Sequence, residues 1–142
     1  MNRIALTIKE MNRLVKYGIK TDSASMRWVK LPTGSAIIHN TNEYTWELFI
    51  SRTRIVDSVP TFTLNDMINL LPKHIFIDSI EYGLDIFIDP IKNEWNVNYS
   101  RHDCSHEQKL EYILIESSSD IITATYNMLL RCAKKEILNK QL

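Results

Sequence analysis

The residues of this chain best equipped for chemistry lie in the segment His102-Asp103-Cys104-Ser105-His106 and in a set of arginines beside aromatic rings. Two imidazoles and a thiol within five positions are ligand types that hold zinc or copper when a fourth ligand and a fixed geometry are supplied. The spacing is not that of a zinc finger, and the other histidines, His39 and His74, are remote in the sequence. A solvated loop is the better reading, and no metal or other cofactor is expected. Cys104 beside His102 or His106 also brings together a nucleophile and a base, yet adjacency in sequence does not supply the hydrogen-bonded geometry that activates a thiolate. Asp85, Asp89 and Glu94 are types suited to an acidic metal or acid/base site, but they fall on the polar side and turn of a hairpin, where carboxylates serve solubility. With no catalytic constellation and no phosphate loop, the chain reads as a binding protein rather than an enzyme.

The arginines suggest what would be bound. Arg27 precedes Trp28, Arg52 and Arg54 flank Thr53 just after an aromatic strand, and Arg101 follows Trp95 and Tyr99. Such groups grip a nucleotide when a planar base stacks on an aromatic face and guanidinium groups make paired contacts to phosphate. The competing reading makes Trp28, Trp46 and Trp95 core residues and the arginines exposed ends of strands. Only convergence in space separates the two.

A chain of 142 residues matches one domain and buries roughly two-thirds of its unfolded surface, enough for a core without staples. Three glycines and four prolines leave little room for a disordered linker. The start MNRIALTIKEMNRL lacks the apolar run of a signal peptide, and no stretch reaches the roughly 20 apolar residues of a membrane span. The expectation is a soluble cytoplasmic protein with Cys104 and Cys132 as free thiols and no membrane contact.

The formal net charge is zero but unevenly spread. Residues 1–30 hold seven basic against two acidic side chains, a net of plus five, whereas residues 61–100 hold six acidic against two basic, a net of minus four. Such halves attract one another within one chain or between copies, which points to a homo-oligomer. A nucleic-acid reader using the basic N-terminal helix is disfavoured, because such domains carry a net basic excess.

The elements that must position these residues follow from periodicity. Residues 1–22 contain a basic helix over Ile8 to Tyr17, opened by the capping box of Thr7 and Glu10 and closed by Gly18. Residues 25–51 read as three strands forming a meander: Met26 to Leu31, Ala36 to His39 and Glu43 to Ser51. Thr63 caps a helix over 63–71, with Leu64, Met67, Ile68 and Leu71 as its stripe and Pro72 as its stop. Within 75–116, strict alternation from Ile80 to Asp89 and from Trp95 to Ser100 predicts a hairpin, and Leu110 to Ile115 a further strand. The serines before Asp120 open a long C-terminal helix over 118–138. The predicted fold is α+β: one antiparallel sheet packed by two main helices, plus the short N-terminal helix.

Together the Trp-bearing strand, the TxxDxxxLLP helix (Thr63, Asp66, Leu70, Leu71, Pro72), the hairpin ending in EWNVNY and the helix SSDIITATYNMLLRC resemble a family of small proteins of no settled activity encoded by phages, prophages and conjugative elements, notably of Bacteroidetes. The resemblance spans residues 28–135, leaves the basic N-terminal helix outside, and carries no functional residues across. It implies a genomic neighbourhood and no activity; taken with the residue reading above, the expectation is a non-enzymatic binding protein of a phage or mobile element, in the host cytoplasm, that counters host antiviral defence by sequestering a nucleotide signal or by covering a host protein. The alternative is a structural or accessory interaction module.

Overall fold

The computed structural model describes residues 3–102 and 110–140. Local sequence signals explain most of its elements. Helix α1, Ile8–Lys16, begins at Thr7, whose hydroxyl accepts from the Glu10 N–H while the Glu10 carboxylate accepts from the Thr7 N–H, the reciprocal capping predicted above. It ends where Gly18 takes φ 91°, a backbone conformation that favours glycine after a helix. Met11 and Leu14 are buried, whereas Val15 is half exposed.

Strand β1, Met26–Pro32, pairs antiparallel with β2, Tyr44–Ile50, and on its other side with β3, Ser58–Thr61, giving the order β2-β1-β3. The link between β1 and β2 is a helix, α2, Gly34–His39. This corrects the strand expected over Ala36 to His39: Thr33 caps the turn through its hydroxyl, which accepts from the Ala36 N–H at 2.9 Å, and Asn40 ends it in the left-handed region. The three strands therefore do not form the expected meander, since the third partner of the sheet is β3. Proline at position 60 hides β3 from a sequence reading, yet on an edge strand its missing N–H is tolerated.

Helix α3, Leu64–Leu70, starts at Thr63 with a second capping box, closed by Asp66. Strand β4, His74–Ile77, then pairs with β5, Ile80–Asp89, which pairs with β6, Glu94–His102, and that with β7, Leu110–Ser118. The predicted hairpin β5/β6 forms, with Ile86 opposite Val97 and Ile88 opposite Trp95, and Asn93 turns it at φ 54°. Helix α4, Ile121–Lys134, is capped by Asp120 and stops where Glu136 takes φ 57°. A separate final turn, α5, Ile137–Lys140, follows, so the expected helix over 118–138 is shorter and broken.

The single sheet is thus corrected to two, of three and four strands, with helices α1 to α4 and the α5 turn around them. The main core lies between the four-stranded sheet and α4, with Val97 and Tyr99 of β6 and Leu114 of β7 facing Met128, Leu129 and Cys132. Helices α1 and α3 close it through Met11, Leu14 and Met67. Met26 and Val29, on opposite faces of β1, are buried outside this cluster.

Specific hydrogen bonds join the small sheet to the main body. The Leu6 carbonyl accepts from Trp28 Nε1 at 2.8 Å and from Thr61 Oγ1 at 2.6 Å, and the Leu6 N–H donates to the Phe62 carbonyl. Asp66 Oδ2 accepts from the Ser25 N–H at 3.0 Å and its hydroxyl at 2.7 Å. Arg3 bridges α1 and α4: its guanidinium pairs with Glu10, and its Nε donates to Asp120 Oδ2 at 2.9 Å.

Candidate functional site

Alternation along the strands sorts the predicted ligand residues onto surfaces. Arg27 lies on the face of β1 opposite that of Trp28, is 9% exposed, and its Nε donates to Ser58 Oγ at 2.8 Å. Arg54 lines a shallow recess of about 450 Å³ with Ile55, Val56, Asp57 and Ser58. Arg27 and Arg54 therefore share the surroundings of Ser58, and Arg52 lies in the same exposed link between β2 and β3. Trp28 is held at the Leu6 carbonyl.

Trp95, Tyr99 and Arg101 belong to the other sheet. Trp95 packs against the main core, and Tyr99 is fully buried with its hydroxyl donating to the Pro72 carbonyl at 2.6 Å, which leaves no ring face for stacking. Arg101 sits over the Tyr82 ring at 5.9 Å. Cys104 and His106 lie outside the described residues; among those described, no group of three histidine, cysteine, aspartate or glutamate side chains is placed to hold a metal. Cys132 is buried in α4, and burial pushes its thiol up to about 11, so little of it is thiolate near neutrality.

Two features remain that the periodicity argument did not single out. The first is a cleft of about 610 Å³ between the ends of α1 and α3, within the range of ligand pockets. Ile19, Leu70, Leu71, Phe76 and Leu138 give it an apolar lining, and Lys20 and Lys73 stand at its margin with no carboxylate among its described lining residues. His74 also contributes, with its Nδ1 2.9 Å from Glu81 Oε1.

The second is apolar exposure on the three-stranded sheet and its links, which carry seven of the sixteen exposed large hydrophobic side chains among the described residues, the others being spread over the rest of the molecule. Ile37 and Ile38 of α2 are 71% and 78% exposed, Ile50 of β2 is 86%, and Val56 of the following link is 86%. Tyr44, Phe49 and Ile55 add to it. Lys30 covers the Tyr44 ring at 3.9 Å, and Tyr44 meets Trp46 edge to face at 6.0 Å. Isolated exposed aliphatics are ordinary, and Ile50 lies at the end of β2 away from α2, with Phe49 on the opposite face; the adjacent pair Ile37 and Ile38 is the part of this set that stands together as a contact point. The adjacent Ile37 and Ile38 gave no sequence signal of exposure, because neighbouring residues fit within the apolar face of an ordinary amphipathic helix.

No helix among the described residues is long and apolar enough to cross a membrane. No family model, no curated protein and no solved structure matches the chain.

Proposed function

We propose that this is a non-enzymatic binding protein whose three-stranded sheet is the contact surface for another protein. The observation that carries the reading is the exposure of Ile37, Ile38, Ile50 and Val56 on α2, β2 and the following link, while the main core is closed elsewhere. Burying such side chains against a partner is favourable by roughly 25 cal/mol per Å² of apolar area. The resemblance to proteins of phages and mobile elements makes a host protein, including one of an antiviral defence, the class of target to test. The test compares the wild-type chain with Ile37→Glu/Ile38→Glu in affinity capture from host extract, with circular dichroism as the check on folding. A partner kept by the first and lost by the folded variant supports the reading; a partner kept by both defeats it.

The cleft supports a second reading, sequestration of a small anion with an apolar or planar body, a nucleotide among them. Lys20 and Lys73 would meet the anion and Phe76 with Leu70 the body. Thermal-shift measurements with linear and cyclic nucleotides, repeated on Lys20→Ala/Lys73→Ala, test it. A nucleotide shift abolished by the variant supports sequestration, and no shift with any nucleotide removes that ligand class.

A further inference from the structure

The open edge of β2 has a defined chemistry. In an antiparallel ladder, alternate residues turn their N–H and C=O groups to opposite sides of the strand. The Thr33 N–H donates to the Glu43 carbonyl at 3.2 Å, and the Ser51 N–H to the Ser25 carbonyl at 3.1 Å, so odd-numbered residues of β2 face β1. Tyr44, Trp46, Leu48 and Ile50 therefore direct their backbone groups off the free edge. That edge has seven residues, no proline and no lysine, and Glu47 is its one charged side chain. Natural edges are normally blunted by just such features, and an unprotected one is a template for pairing.

We infer that the β2 edge pairs antiparallel with the β2 edge of a second copy of this chain, on a two-fold axis through Leu48, making one six-stranded sheet. Side-chain alternation restricts the axis to a residue, and each choice has a consequence. An axis through Glu47 sets two carboxylates directly opposite, a destabilising pair. An axis through Trp46 sets Ile50, the most exposed apolar residue of the strand, against Asn42, and one through Phe49 retains only three strand residues from each copy. The axis through Leu48 keeps five strand residues from each copy and sets Trp46 against Ile50 and Glu47 against Phe49. The pairing does not rest on the partner surface proposed above, since it uses the β2 backbone whether or not another protein binds α2.

Sedimentation velocity on the full chain, from low micromolar to submillimolar concentration, tests it together with two variants. Ile50→Lys alters a side chain that barely contacts its own chain, and Leu48→Pro removes an N–H that points off the edge. The expected result is a wild-type dimer whose dissociation constant rises at least about tenfold in each variant, with unchanged circular dichroism. For the register, Glu47→Cys and Phe49→Cys chains, both also carrying Cys104→Ser, are expected to crosslink when mixed and not when alone. A monomer at every concentration, a dimer indifferent to Ile50→Lys, or self-crosslinking of Glu47→Cys alone would overturn the inference. The Ile37→Glu/Ile38→Glu capture experiment is read separately, so either reading fails on its own result.

Discussion

Trp28 Nε1 donates to the Leu6 carbonyl at 2.8 Å, and this bond ties the central strand of the small sheet to the segment that leads into α1. A ring whose polar end is committed in this way acts as a structural anchor, and only its remaining surface is left to meet a ligand.

Trp28→Phe keeps an aromatic ring and removes the donor. The Leu6 carbonyl still accepts from Thr61, so the expected loss is about 1 kcal/mol for the bond, with a further contribution from lost packing. The urea midpoint measures it. A midpoint equal to that of the wild type would show that the Trp28 bond contributes nothing to holding the sheet in place.

Acid should loosen the molecule through three carboxyls. Burial raises the pKa of Glu10, Asp66 and Asp120, but hydrogen bonds outweigh it, from Arg3 and Thr7 to Glu10, from Thr63 and Ser25 to Asp66, and from Thr123, Arg3 and Ile122 to Asp120. Each folded-state value therefore lies below its ordinary 4.5 or 3.8. The unfolded chain takes up protons first, so the stability from these groups is full above those ordinary values and is lost as pH falls through the folded ones. The urea midpoint should fall over this acid range, and less steeply in Arg3→Met; equal slopes would remove Arg3 as a cause.

Asp66 serves two elements at once, closing the α3 capping box and accepting twice from Ser25. Thr63→Ala removes a cap and should cost about 1 kcal/mol. Asp66→Ala removes the cap contact and leaves the Ser25 groups without their acceptor, and should cost about 2 to 3 kcal/mol. Equal losses in chemical denaturation would mean that the Ser25 link contributes nothing.

The Cys132 thiol, buried and pushed up to about 11, should resist thiol reagents. In a Cys104→Ser chain, native protein at pH near 8 should label only as fast as it opens, and at once in denaturant. Rapid labelling of the folded chain would contradict the burial.

Much of the local structure was legible because its causes are local. Thr7 with Glu10 and Thr63 with Asp66 are caps whose partners lie three residues apart, and the β5/β6 hairpin follows from alternation around a short turn. Strand β4, HIFI, is too short for its period to be read, and α2 reads as a strand because the β-branched Ile37 and Ile38 favour one, although Thr33 caps it as a helix. The candidate ligand residues were legible only as types. Arg27 beside Trp28 is a pair in sequence, but alternation along β1 sends the two side chains to opposite faces.

By itself, then, the sequence determined the Thr7 and Thr63 caps, the β5/β6 hairpin and the α+β class, since each rests on contacts between near neighbours. Tertiary structure alone decided that the strands divide into two sheets, because β1 pairs with β3 across the whole of α2 and β2, and no local pattern records which distant edge a strand will meet. The same division decided the functional surface. Ile37, Ile38, Ile50 and Val56 have the composition of a core, and they are exposed because the small sheet is covered by the chain only where Leu6 and its neighbours reach it.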